Sequence, residues 1–72
     1  MTYVWRTKLD NRYDIVVERV DDQTGYLVIR EGENELLRDT VSLAYGAVFG
    51  PDVDDVMTWQ NRAIEFVDTL KT

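Results

Sequence analysis

The chain predicts a small α+β domain in the order β-β-β-α-α: a three-stranded antiparallel meander followed by two helices, with the long C-terminal helix packed on the sheet. Three observations point there. Apolar residues alternate with period two through the first thirty residues, the mark of half-buried strands. The period changes to that of a helix in the last third of the chain. Gly50-Pro51-Asp52 punctuates the chain between the two regimes. With 72 residues there is room for one hydrophobic core, so residues 1–72 are read as a single domain.

The first strand runs from Thr2 to Leu9. Tyr3, Trp5, Thr7 and Leu9 take one side, while Thr2, Val4, Arg6 and Lys8 take the other. Asp10-Asn11-Arg12 supplies a turn, because short Asx side chains bond their own backbone. Tyr13 to Val20 is the second strand. Tyr13, Ile15 and Val17 share one face, and Val16 and Val20 give the other face apolar character too, which predicts a central strand. Residues 21–25 form a hairpin loop in which Gly25 suits a positive φ. Tyr26 to Arg30 is the third strand, ended by Glu31-Gly32-Glu33-Asn34.

From Glu35 to Val48 two readings compete. As a helix, Leu37, Val41, Ala44 and Val48 form a stripe, Asn34 is its N-cap and Glu35 an acid in its first turn. As a strand starting near Leu36, Val41, Leu43, Tyr45, Ala47 and Phe49 alternate with small residues. The helix is the favoured reading. The last helix follows Asp52, its predicted cap. Val53, Val56, Met57, Trp59, Ala63, Ile64, Phe66, Val67 and Leu70 cover about half of its cylinder. That arc is broader than one small sheet requires, so the surplus is expected to meet another element or another chain.

Composition excludes several chemistries. Cysteine and histidine are both absent, which removes disulfides, thiol redox chemistry, Cys/His zinc sites and Ser-His or Cys-His nucleophile pairs. The chain begins without a basic head and apolar run, and no stretch approaches a spanning helix, so neither a secretory leader nor a membrane anchor is expected. With no disulfides available, the cytoplasm is the expected compartment. The net charge is −6, and its distribution is uneven. Residues 1–30 sum to zero, and the whole excess lies in residues 31–72. That sign disfavours direct binding to nucleic acid or anionic lipid. Arg6, Lys8, Arg12, Arg19 and Arg30 with Tyr13 and Tyr26 could line a base-stacking sheet, but Asp14 and Glu18 lie among them, and cross-strand ion pairs are the simpler reading.

Residues for chemistry are few. The glycines form no phosphate-binding loop. Asp52, Asp54 and Asp55 are the densest acids; as ligands for Mg²⁺ they would make a weak carboxylate enzyme, but capping and a solvated first turn account for them. No cofactor is implied. Tyr45 to Asp52 mixes aromatics with glycines and reads as the junction into the last helix, with a recognition loop as the alternative. The expected function is a non-enzymatic protein-interaction or regulatory module, homodimeric through its surplus apolar arc. Its candidate interface is Trp59, Phe66, Ala63, Leu70, Tyr45 and Phe49, although a place in the core is the favoured reading for Trp59 and for Trp5. The alternative is an acidic decoy that occupies a nucleic-acid-binding protein, with Asp54, Asp55, Glu65 and Asp68 as its patch and Arg62 interrupting the flank.

Overall fold

Two tight left-handed turns fold the first two-thirds of the chain back on itself. In the computed structural model, which describes residues 3–21, 23–43 and 53–71, β1 (Tyr3–Leu9) and β2 (Tyr13–Arg19) meet at Asp10 and Asn11, with φ of 56° and 53°. Asp and Asn tolerate that region better than other residues with a Cβ. The Arg12 N–H donates to the Leu9 carbonyl at 3.0 Å and closes the turn. β3 (Thr24–Glu31) and β4 (Asn34–Ser42) are joined by Gly32-Glu33, with Gly32 at φ 62° in open space. Between β2 and β3, the Gln23 N–H donates to Asp21 Oδ1 at 2.9 Å, and the N–H groups of Val20 and Asp21 both reach the Thr24 carbonyl. The result is one antiparallel sheet in the order β1-β2-β3-β4, followed by the helix α1 (Val53–Leu70).

The sequence expectation of three strands and two helices is therefore corrected to four strands and one helix. Asn34 opens a strand instead of capping a helix, and Glu35 to Ser42 are extended. Residues 44–48 of the expected helix, and the expected cap Asp52, lie outside the described residues. The physical reason for β4 is hydrogen bonding. Leu27, Val28 and Ile29 of β3 are completely buried, so their backbone groups need a partner on each side. β2 supplies one side and β4 the other, pairing Leu27 with Asp39, Val28 with Arg38 and Ile29 with Leu37. A helix over the same residues would satisfy only itself.

Two finer expectations also change. Gly25 does not take a positive φ; it lies in β3 opposite Arg19, and a Cβ there would come within 2.6 Å of the Glu18 carbonyl oxygen. The glycine is required for close approach. A bulge in β1 between Tyr3 and Trp5 turns Tyr3 onto the face opposite Trp5, Thr7 and Leu9, where it pairs with Glu18.

One face of the sheet carries the core. Ile15, Val17, Leu27, Ile29, Val41 and Leu43 pack against Trp59, Ala63 and Val67, which recur every fourth residue along α1. Trp59 meets Trp5 with ring centroids 6.0 Å apart, tilted at 43°. Ala63, one turn further along α1, is fully buried. We expect Trp59→Ala to cost about 3–5 kcal/mol and to unfold much of the population, as read by urea denaturation. Gly25→Ala should also destabilise, by about 1–3 kcal/mol, because the contact at Gly25 is with backbone that has no rotamer to yield.

Candidate functional site

The sheet face that α1 leaves uncovered is ordered by register into three cross-strand rows. Tyr3, Glu18, Tyr26 and Thr40 form the first; Arg6, Val16, Val28 and Arg38 the second; Lys8, Asp14, Arg30 and Glu35 the third. The middle row explains why this face persists in water. Val28 is 0 % exposed and Val16 5 %, although no described helix lies above them. Arginine stems in the neighbouring positions cover apolar surface while their heads stay wet. Arg12 and Tyr13 do not belong to it: Arg12 sits in the turn beside Glu31, and Tyr13 faces the core.

Glu18 is the one buried charged residue among those described, at 6 % exposure. Arg38 Nη1 lies 3.7 Å from its Oε2 and Arg30 Nη2 3.9 Å from its Oε1. These separations give Coulomb attraction but exceed a good hydrogen bond. Oε1 accepts no hydrogen bond from a described residue. Arg38 is fixed elsewhere: it donates from Nε and Nη2 to Glu35 Oε1 at 3.1 and 2.8 Å, and its guanidinium lies 5.2 Å from the Tyr26 ring centre. The hydrogen bond from Arg38 holds the Glu35 carboxyl below its usual range, and the same bond raises Arg38. Asp21 is likewise lowered, first by the Gln23 backbone N–H.

On the other side of the molecule, α1 separates the residues singled out from sequence. Trp59 and Ala63 are in the core; Phe66 is half-buried against it; Leu70 is exposed. Tyr45 and Phe49 lie outside the described residues. Asp54, Glu65 and Asp68 are exposed and fall within about 60° of arc at 3.6 residues per turn, diametrically opposite the Trp59–Ala63–Val67 line. Asp55 is half-buried and turns away, beside Thr58 and Arg62. Arg62 does not interrupt the acidic arc, because it reaches inward to donate to Asp39 Oδ2 on β4. Residues that periodicity alone did not single out are Val53, Met57 and Ile64, which remain exposed along one flank of α1. They belong to the broad apolar arc, and only the position of the sheet shows which part of that arc is left over.

Among the described residues no three carboxylates converge as ligands for a metal ion. No described helix is long and apolar enough to cross a membrane. Compared with known proteins, the chain matches no family model, and no curated protein or solved structure is significantly similar to it.

The Glu18 cluster predicts non-additivity. Replacing Arg30 and Arg38 together by Met should destabilise the fold, because a buried carboxylate loses both countercharges. The same pair of replacements in a Glu18→Leu background should cost much less, and a double-mutant cycle in urea measures the difference. Acid should also destabilise. The folded values of Glu35 and Asp21 are depressed, so their contribution is complete above the ordinary values of 4.5 and 3.8 and is lost as pH falls through the lowered ones. Glu35→Gln should flatten the decline of the thermal midpoint below pH 4.5 and leave it unchanged in slope near neutrality.

Proposed function

We propose that the protein is a non-enzymatic interaction module whose ligand is another polypeptide. One observation carries the reading: after the core has closed, Val53, Met57 and Ile64 still lie exposed in a line along one flank of α1, within about 40° of arc. Single exposed apolar residues are ordinary, but three aligned on one helix flank, with Gln60 and Asn61 to either side, give an apolar edge suited to a partner. The sheet's uncovered face adds tyrosine and arginine, residue types enriched where binding energy concentrates. Trp59 and Ala63 contribute to the core instead, which narrows the surface available for the homodimer expected from sequence.

A second reading, the acidic decoy, is favoured by one feature. With Arg62 drawn to Asp39, the outward arc of Asp54, Glu65 and Asp68 presents carboxylates with no base among them. Such a surface steers a basic partner. The two readings differ in their response to salt and to substitution. With a partner recovered from the source cells, Met57→Ser/Ile64→Ser should abolish retention while costing about 1–2 kcal/mol of stability, and raising the salt to molar levels should weaken retention without abolishing it. The decoy requires the opposite: loss of binding in high salt and in Glu65→Lys/Asp68→Lys. A chain that retains no polypeptide at all, under any salt, would count against both.

A further inference from the structure

The two edges of the sheet differ. At β4, the Thr40 N–H is taken by Asp39 Oδ1 at 3.0 Å, Asp39 also holds Arg62, and the helix flank above presents Arg62, Glu65 and Thr69 beside the half-buried Phe66 and Leu37. That edge is crossed by the Asp39–Arg62 ion pair. β1, the opposite edge, pairs only with β2 among the described residues, so half of its backbone N–H and C=O groups point outward. The helix flank above β1 is the one whose apolar side chains stay exposed. Leu9 of β1 and Ile64 and Val67 of α1 line a cavity of about 130 Å³, with Asp10, Asp68 and Lys71 at its rim. Val53, Met57 and Ile64, exposed at 71 %, 56 % and 38 %, extend that wall along the helix.

The charge of β1 selects what can add to it. Its side chains on the uncovered face are Tyr3, Arg6 and Lys8, with no acid among them. Arg6 is exposed and makes no ion pair or hydrogen bond with a described residue, and Lys8 has only Asp14, at 3.9 Å. A second copy pairing antiparallel through β1 with its uncovered face on the same side offers only these residues to one another, and like charges directly opposite destabilise a strand pair. A strand bearing acids at those positions is attracted instead.

We propose that the groove between the β1 edge and the Val53–Met57–Ile64 flank of α1 binds an extended segment of a partner protein as a fifth strand, and that this segment alternates acidic with apolar residues. Its backbone pairs with β1. Its acids lie beside Arg6 and Lys8 on the uncovered face. Its apolar side chains lie on the core face beside Trp5, Thr7 and Leu9 and beneath Met57 and Ile64. Five to seven residues, about 17–23 Å of extended chain, span the site. The inference rests on the reading of the protein as an interaction module and names the partner's chemistry and place.

Synthetic peptides test it with the full chain. A seven-residue peptide alternating valine with glutamate should bind saturably, protect the outward amides of β1 from hydrogen exchange, and shift the methyl resonances of Met57 and Ile64. The same peptide with lysine for glutamate should bind at least about tenfold more weakly, as should the glutamate peptide against Arg6→Glu/Lys8→Glu. Because that variant could alter the fold, a peptide N-methylated at alternate residues on the wild-type chain provides the second arm. It keeps its side chains but cannot complete the ladder, and it should not protect β1. Equal binding of the lysine and glutamate peptides, or peptide binding with β1 amides unprotected, overturns the proposal. The second of these leaves the interaction reading standing, with its site elsewhere. Concentration-dependent protection of β1 in the absence of peptide overturns it in favour of a second copy.

Discussion

The backbone amides and carbonyls of Leu27, Val28 and Ile29 have no route to water, and much of the architecture follows from that. Their side chains fill both faces of the sheet, so the ladder on each side of β3 must be complete. β2 is also buried on both faces, at Ile15 and Val17 on one and Val16 and Glu18 on the other. Two strands of this kind need two further strands outside them. β1 and β4 fill those places and are correspondingly polar. Gly25 belongs to the same constraint, since a Cβ there would press on the Glu18 carbonyl and force β2 and β3 apart.

The two faces of the sheet are closed by different means. α1 closes one by burying Trp59, Ala63 and Val67. On the other, Arg6 and Arg38 flank the buried Val16 and Val28, and the arginine heads there require acids nearby. Glu18 and Glu35 meet that need, at the cost of one carboxylate oxygen left without a donor. The two layers are tied at their β4 side by Arg62 and Asp39 and at one end by Lys71 and Asp10. These ties also shape the surface. They take cations away from the outer face of α1, leaving it acidic, while the β1 edge keeps Arg6 and Lys8. An overall charge of −6 thus conceals a locally basic edge.

Much of this was legible in the residues themselves. Period-two alternation located β1, β2 and β3, the mixed apolar pattern of Tyr13 to Val20 marked a central strand, and the 3.6-residue period located α1. Cross-strand ion pairing was readable from the interleaving of Arg30 and Lys8 with Asp14 and Glu18, and the structure shows it, with Glu18 buried where a wet face was expected. These signals are local: side-chain direction in a strand or helix is fixed by the backbone period alone.

β4 was not legible in that way, and the reason lies in Asp39. The inward positions of that strand are Leu37, Asp39 and Val41, so an acid breaks the alternation where it would announce a strand. Asp39 is accommodated there because Arg62, twenty-three residues later in the chain, reaches it from the helix. Leu37 and Val41 are also four apart, a spacing that imitates a helix. Only the unpaired edge of β3 and the position of Arg62 decide between the two, and both exist only once the layers are packed. The same holds for the helix surface. The sequence by itself determined that α1 has more apolar residues than a sheet can cover; the tertiary structure decided that Trp59 and Ala63 go inside while Val53, Met57 and Ile64 stay out, because burial depends on where the sheet ends and not on the period of the helix.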